Sequence, residues 1–311
     1  MHKRPLARAG AACVTLDAVA PQPVPPDTLR IVLLGTGVGP PVNLRQFGPS
    51  TLIEAGGTRL LFDAGRGATI RLTQAGVPIG TVNRLFLTHL HSDHVIQIPD
   101  LFLAGWVGPA GRKVPFSVWG PKGTRAMMSA PEKAFAFDIH MRRDVDEKFP
   151  GEGISVRSHD ITEGVVFEED GLKVTAFLVD HAPITPAFGY RVDYRGRSVV
   201  LSGDTRVSEN LVKHAAGVDV LVHEAVDAVA LRAASTNPTL TERIIAHHTT
   251  GEEAGQLFAR VKPRLAVYSH APGSEALTTQ TRKHYSGPLQ GAEDLLTIDV
   301  GAQISLRRFG Q

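Results

Sequence analysis

The segment that decides the fold is Thr88-His89-Leu90-His91-Ser92-Asp93-His94, which places three imidazoles and one carboxylate close together. It completes the apolar run Arg84-Leu85-Phe86-Leu87-Thr88, which has the composition of a short buried strand. In an extended segment alternate side chains share a face, so His89 and His91 can bind one ion. A turn that begins at Ser92 would direct Asp93 and His94 towards a second ion. Such a cluster at a strand end has no packing purpose, so it predicts a metal centre.

The rest of the chain offers further ligands of the same kind at the ends of predicted strands. Three more candidates each follow an apolar run: His181, Asp204 and His270. Cys13 is the single cysteine, which excludes an internal disulfide and argues against thiolate metal sites. Imidazole and carboxylate ligands suit Zn²⁺, and they also accept Mn²⁺ or Fe²⁺. The sequence therefore predicts two adjacent metal ions, with Zn²⁺ as the expected metal.

Short predicted strands and interspersed helices extend on both sides of this segment. Strands are predicted at 31–34, 51–54, 59–62, 84–88, 172–179, 188–194, 198–202, 218–223 and 265–270, and helices at 68–75 and 250–261. The run Gly35-Thr36-Gly37-Val38-Gly39 lacks the Lys-Ser/Thr of a P-loop and precedes two prolines, so we interpret it as a turn. The pattern indicates an α/β chain with its candidate ligands at strand ends.

The candidate ligands resemble, in order and approximate spacing, the metal ligands of the metallo-β-lactamase superfamily. The series consists of His89, His91, Asp93, His94, His181, Asp204 and His270, and the resemblance spans nearly all of residues 30–305. Five local motifs are similar to the branch that contains ribonuclease Z and the zinc-dependent arylsulfatases. They are Gly189-Tyr190-Arg191, Ser202-Gly203-Asp204-Thr205, Val222-His223-Glu224-Ala225, His248-x-Thr250 and Ser269-His270.

This resemblance implies a four-layer αββα sandwich with two metals at the rim between two facing sheets. One metal would be held by His89, His91 and His181. The other would be held by Asp93, His94 and His270, with Asp204 bridging the two. A hydroxide that bridges the ions would attack an ester-type bond.

The resemblance also implies roles for residues around the metals. The expected catalytic residues are Asp93, His248 and Glu224, with His248 oriented by Glu224 and protonating the leaving group. His223 or His247 remains an alternative proton donor. Asp63 would orient one of the metal-binding histidines. Because they follow the cluster closely in the sequence, Phe102 and Trp106 are expected to form walls of a substrate pocket.

The chain is predicted to consist of an N-terminal extension at residues 1–28 and a single hydrolase domain at residues 29–311. The extension begins with basic residues and passes through an alanine-rich stretch, an order that resembles a weak signal peptide. Its apolar part is short for that role, so we expect a cytoplasmic protein, with a periplasmic or secreted one as the alternative. No apolar run approaches the ~20 residues that a membrane-spanning helix needs.

The charge balance argues against a nucleic-acid partner. The chain has 33 Lys and Arg against 31 Asp and Glu, a net charge of +2, and these charges are evenly spread. In the ribonuclease Z branch, tRNA is usually held by a protruding basic arm rich in glycine and proline. The candidate region, residues 139–153, opposes its basic residues with acidic ones. We therefore expect a small anionic or aromatic ester as substrate, no nucleic acid, no membrane, and a homodimer as the assembly to consider.

The main functional hypothesis is a di-zinc hydrolase of aryl sulfates or phosphodiesters. β-Lactam hydrolases typically carry Cys or His at the position of Asp204, so Asp204 argues against that activity. Lactonases share the aspartate and remain an alternative. A tRNA 3′-processing endonuclease is a second alternative, and a metal-stabilised binding module is the alternative outside the enzymes.

Overall fold

The central strands of the chain are buried along their whole length, so each sheet must be covered on both faces. The computed structural model, which describes residues 23–308, shows every residue of Leu29–Gly35 and Ser50–Ala55 to be buried. Continuous apolar runs such as Ile31-Val32-Leu33-Leu34 are typical of strands with two covered faces. Residues 1–22 of the predicted extension lie outside the described residues.

Within residues 23–308 the strands form two sheets, of eight and seven strands. In chain order the strands are β1 (Leu29–Gly35), β2 (Ser50–Ala55), β3 (Thr58–Phe62), β4 (Arg84–Phe86), β5 (Phe116–Gly120), β6 (Val156–Asp160), β7 (Gly164–Glu169), β8 (Leu172–Leu178), β9 (Phe188–Tyr194), β10 (Arg197–Leu201), β11 (Val220–His223), β12 (Leu265–Tyr268), β13 (Leu289–Gln290), β14 (Leu296–Val300) and β15 (Ile304–Arg307). The first sheet has the order β15-β14-β1-β2-β3-β4-β5-β6, and the second has the order β13-β12-β11-β10-β9-β8-β7.

The helices of the described part connect these strands and lie outside the sheets. They are α1 (Ala68–Gln74), α2 (Ser92–Val95), α3 (Ile98–Ala104), α4 (Thr124–Ala134), α5 (Ala136–His140), α6 (Glu209–His214), α7 (Ala228–Ala233), α8 (Pro238–Ile245), α9 (Gly251–Val261) and α10 (Glu275–Arg282). Short helical turns occur at Ile79–Thr81, Met141–Val145 and Gly151–Ile154. None of the helices between residues 23 and 308 combines the length and the apolar character needed to cross a membrane.

Three separate hydrophobic clusters define four layers. The first lies between the sheets and joins Ile31 of the first sheet to Val174 of the second. The second packs Leu85, on the other face of the first sheet, against α1, α3 and α4. The third packs Leu221 of the second sheet against α6, α9 and α10. The layers are therefore helix, sheet, sheet and helix, and the predicted αββα sandwich is confirmed.

Phe102 and Trp106 lie in the outer cluster of the first sheet and not in a pocket wall. Phe102 of α3 is fully buried, and its ring centroid lies 6.4 Å from that of Phe116. Trp106 is 1% exposed, and its indole N–H donates to the carbonyl oxygen of Pro150 at 2.9 Å. The prediction that these residues line a substrate pocket is wrong. Because α3 turns its apolar face onto the sheet, both side chains pack beneath that layer, away from the rim.

Parallel pairing brings the candidate residues to one edge of the sandwich. In the first sheet β3, β4 and β5 are parallel neighbours, and Asp63 follows β3 directly. In the second sheet β10, β11 and β12 are parallel neighbours, and Glu224 follows β11 directly. The carboxyl ends of neighbouring parallel strands share an edge, which is where open α/β sheets place their sites.

Candidate metal centre

The segment after β4 changes from extended to helical backbone between His91 and Ser92. His91 has φ −63° and ψ 146°, and α2 begins at the next residue. His89 and His91 lie before this change, with Nε2 of His89 2.9 Å from Nδ1 of His91. Asp93 and His94 lie in the first turn of α2 and join His270 in a different group. The change in backbone conformation therefore separates His89 and His91 from Asp93 and His94, which are the two pairs suggested by the sequence.

All seven predicted ligands come together at the rim, in groups whose ligand atoms lie within 4.8 Å of one another. These groups are His89, His91, His181 and Asp204, then Asp93, His94 and His270, and an overlapping group of Asp204, His248 and His270. The carboxylate of Asp204 lies between the first two groups. Its Oδ2 is 3.8 Å from Nε2 of His89 and 3.4 Å from Nε2 of His94, and its Oδ1 is 3.3 Å from Nδ1 of His270.

Several buried ligand atoms in this cluster have no hydrogen-bond partner. They are Nε2 of His94, Nε2 of His181, Oδ1 of Asp204 and Nδ1 of His270. Buried polar atoms without partners are costly, and a divalent cation would satisfy imidazole nitrogen and carboxylate oxygen together. The residues present therefore fit a divalent metal.

Asp63 and Thr88 contact the Nδ1 atoms of His94 and His89, on the side of each ring that faces away from the cluster. Nδ1 of His94 donates to Oδ2 of Asp63 at 2.8 Å, which turns Nε2 of His94 towards the cluster. Asp63 also accepts the backbone N–H and the hydroxyl of Thr88 at 2.9 and 2.8 Å. The hydroxyl oxygen of Thr88 is 3.0 Å from Nδ1 of His89 and can accept its proton. Asp63 thus lies where the sequence predicts it, whereas Thr88 was missed, and only its position directly before His89 could have signalled it.

Replacing Asp63 with asparagine should weaken metal binding about 10- to 100-fold, the usual cost of losing a group that orients a ligand. The new amide would present an N–H or a weaker acceptor to Nδ1 of His94. The measurement is a metal titration in competition with a chromophoric chelator. Asp219→Asn is the matched control, because Asp219 is also buried and accepts a backbone N–H and a hydroxyl, both from Ser198. Equal metal affinity in Asp63→Asn and the wild type would contradict the role of Asp63.

His248 follows α8, and Glu224 holds its ring beside the cluster. Nδ1 of His248 donates to Oε1 of Glu224 at 3.2 Å, and the same oxygen accepts the N–H groups of Thr205 and Thr249 at 3.0 and 3.1 Å. Burial disfavours the charged imidazolium, but the Glu224 carboxylate outweighs burial and raises the pKa of His248 to about 9. The ring is therefore protonated at neutral pH, as a general acid must be.

His223 and His247, the two alternative proton donors, are less suited than His248 to protonate a leaving group. His223 is fully buried, with its ring 5.7 Å from that of Phe258 and its Nδ1 bonded to the backbone oxygen of Glu224. Burial and the neighbouring imidazoles of His248 and His181 lower the pKa of His247 to about 4, so its ring is neutral at pH 7. The backbone oxygen of His247 accepts from Nδ1 of His181 at 2.9 Å. The geometry favours His248 over both.

A cavity of about 140 Å³ opens beside Asp93. Its walls come mainly from the loop of residues 37–48, with Arg66 and Ile96 on the other side. The carboxylate of Asp294 anchors this loop by accepting the N–H groups of Thr36 and Phe47 and by pairing with Arg71 at the end of α1. This cavity therefore provides accessible space next to the candidate metal centre, and neither Phe102 nor Trp106 lines it.

The chain is similar to proteins of known family along most of its length. Residues 58–271 match the model of the family described as "Beta-lactamase superfamily domain". A ribonuclease Z of Mycobacterium sp. (strain KMS) is 37% identical over 292 residues, covering 91% of this chain and all of that protein. A ribonuclease Z of Mycobacterium avium (strain 104) is 34% identical over 285 residues, covering 88% of this chain and 99% of that protein.

Solved structures share the fold at lower identity. The short form of human tRNase Z superposes with a TM-score of 0.66 at 21% identity, covering 88% of this chain and 99% of that one. The metallo-beta-lactamase fold protein YhfI of Bacillus subtilis superposes with a TM-score of 0.68 at 17% identity, covering 88% of this chain and all of that one.

These comparisons correct one expectation from the sequence. The expectation of a small-molecule substrate and no nucleic-acid partner is wrong, because the relatives that match along their whole length are ribonucleases Z. The net charge of +2 is a sum over the whole chain, whereas a nucleic acid contacts only one face. The comparisons support the ribonuclease Z likeness but not the arylsulfatase likeness.

Proposed function

The chain belongs to the metallo-β-lactamase superfamily, in its ribonuclease Z branch, and from this we propose that it cleaves a phosphodiester bond of precursor tRNA near the 3′ end. It is a hydrolase of that superfamily, and its His and Asp cluster indicates a divalent metal. The observation that carries the proposal is the 37% identity over the entire length of a ribonuclease Z. The tRNA endonuclease alternative thus takes the place of the aryl sulfate hypothesis.

We assign the cluster to two Zn²⁺ ions. His89, His91 and His181 would hold one ion, Asp93, His94 and His270 the other, and Asp204 would contact both. Bound there, two such ions lower the pKa of water and stabilise charge on the phosphate oxygens. The orphaned nitrogens of His94 and His181 and the central position of the Asp204 carboxylate support this assignment.

In this proposal the chain's own residues move the proton that the leaving group needs. Glu224 holds Nδ1 of His248, which leaves Nε2 of the same ring to donate to the departing ribose oxygen. The N–H groups of Thr205 and Thr249 fix the Glu224 carboxylate, so the acid has a set orientation before substrate binds. Asp63 and Thr88 hold the metal-facing imidazoles in the same way.

The test uses the purified full chain and a precursor tRNA with a 3′ trailer. We expect cleavage near the 3′ end that EDTA abolishes and that added Zn²⁺ restores. Mature tRNA of the same sequence is the control substrate, and it should remain uncut. If the metal-loaded enzyme leaves the precursor intact while it hydrolyses an aryl sulfate or a lactone, the proposal fails. If no substrate shows metal-dependent turnover, a metal-stabilised binding module becomes the better description.

A further inference from the structure

Residues 139–153, which the sequence analysis found too acidic for a basic arm, offer little free positive charge. Residues 139–153 form the end of α5 and short helical turns. Arg142 pairs with Asp138 and Glu147, and Arg143 pairs with Asp144. Because both arginines are already neutralised by neighbouring carboxylates, only Lys148 among the Lys and Arg of this region lacks an ion pair, and an RNA substrate would need further positive charge elsewhere on the surface.

The order of strands in the first sheet places three loops in a row at the rim. β3, β4 and β5 are parallel neighbours, so the loops that follow them leave the same edge. The middle loop carries His89, His91, Asp93 and His94. The loop after β3 carries Arg66, and the segment after β5 carries Lys122 and Arg125. Neighbouring strands are ~4.8 Å apart, so the two outer loops stand about 10 Å apart on either side of the candidate metal centre.

The loop after β3 is packed tightly against the ligand segment. The N–H of Ala64 donates to the backbone oxygen of His94 at 2.7 Å. A Cβ added to Gly65 would lie 2.6 Å from the backbone oxygen of Asp93, so only glycine allows this approach. Arg66, the next residue, is exposed and lines the cavity beside Asp93. The backbone at Arg66 is therefore held close to the ligand segment by this tight packing.

The segment after β5 contacts the ligand segment from the opposite side. A Cβ added to Gly123 would lie 3.2 Å from Cδ1 of Leu90, the residue between His89 and His91. Lys122 precedes that glycine, and Arg125 lies in the first turn of α4; both are exposed. Asp160 accepts the backbone N–H of Arg125 at 3.0 Å, but its carboxylate makes no ion pair with the Arg125 side chain.

Charge pairing separates these three cations from most others on the surface. Among the residues that the structure describes, Arg66, Lys122 and Arg125 make no ion pair with a carboxylate. Arg206, which also lies close to the ligands in sequence, pairs instead with Asp180 at 2.6 Å. These unpaired cations place positive charge on both sides of the candidate metal centre, where a polyanion such as RNA could bind.

We propose that Arg66 on one side, and Lys122 and Arg125 on the other, bind the phosphates that flank the bond to be cut. This inference rests on the proposed function and states how RNA is held at the centre without a basic arm. Because the ligand segment lies between the loop after β3 and the segment after β5, an RNA strand that crosses this edge from one to the other passes the ligand segment. One strand could therefore contact both groups while its middle phosphate lies at the metals.

The experiment compares the salt dependence of RNA binding in matched variants. The metal-loaded full chain and the variant Arg66→Gln/Lys122→Gln/Arg125→Gln are titrated with fluorescent precursor tRNA at several salt concentrations. Each lost phosphate contact should reduce the slope of log Kd against log salt by about 0.7 to 0.9, so the triple variant should lose about 2 to 3. Lys133→Gln is the control, because this exposed lysine lies in the last turn of the same α4. An unchanged melting temperature shows that each variant is folded.

The inference stands if the triple variant loses slope and affinity while Lys133→Gln does not. It is overturned if the triple variant and Lys133→Gln bind alike, or if the wild type binds no RNA even at low salt. Cleavage is scored separately in the same samples. If the wild type binds RNA through these cations but does not cut it, the proposed function fails, whereas the inference that these cations bind RNA still holds.

Discussion

Asp204→Ala should lower metal-dependent kcat by about 10³-fold or more, the scale of loss when a core member of a catalytic unit is removed. The Asp204 carboxylate lies within 4.0 Å of His89, His94, His181 and His270. Burial alone would raise the pKa of Asp204, but the imidazoles of His270 and His94 hold it well below its usual range. Without this anion no carboxylate would separate these four imidazoles, and the metal content per chain should fall below that of the wild type.

The measurement pairs metal content per chain with cleavage of precursor tRNA at saturating Zn²⁺. Asp180→Ala is the matched control, because Asp180 precedes His181 but is 51% exposed and pairs with Arg206 at the surface. Its metal content should equal that of the wild type. Full activity in Asp204→Ala would show that the mechanism proposed for this centre is wrong.

His248→Ala should lower kcat on precursor tRNA by about 10²- to 10⁴-fold, the usual contribution of a general acid. The loss should be much smaller with bis(p-nitrophenyl) phosphate, because nitrophenolate leaves without needing a proton. Metal content should not change, since the seven assigned ligands are intact. This difference between two substrates separates loss of a proton donor from a general disturbance of the site.

His247→Ala is the control for that experiment. His247 is adjacent in the chain and its ring centroid lies 4.8 Å from that of His248, but the ring is neutral at pH 7. The contact that His247 makes with His181 uses a backbone oxygen, which alanine retains. Equal losses on both substrates in His248→Ala, or an equal loss in His247→Ala, would reject His248 as the acid.

The candidate centre could be predicted because most of its ligands lie just after recognisable strands, and Asp93 and His94 follow in the short helix α2. The structure has α1 at Ala68–Gln74, where a helix at 68–75 was predicted, and β9 at Phe188–Tyr194, as predicted. The hairpin after β9 also follows local signals, with φ of 46° at Arg195 and 75° at Gly196. Local composition was sufficient for these elements.

The rest depended on packing that no local pattern reports. Phe102 and Trp106 are near the ligands in sequence, but α3 could have turned either face to the sheet. Local patterns also left β5, β6 and α4 unassigned, as well as β14 and β15. The proposed phosphate-binding positions could not be predicted from local patterns. Arg66 and Lys122 come to lie on either side of the ligand segment only when β3, β4 and β5 pair in parallel.

The anchoring of the cavity wall by Asp294 has a consequence during synthesis of the chain on the ribosome. β14 pairs with β1, and Asp294 fixes the loop that follows β1, so residues from both ends of the described fold complete one wall. Chains are made from the amino terminus at about 5–20 residues per second, so the loop that ends at Gly48 is made roughly 10 to 50 seconds before Asp294. Until Asp294 has been made, this loop lacks the carboxylate that anchors it, so this wall of the cavity can form only after the strands β7 to β13 of the second sheet have been made.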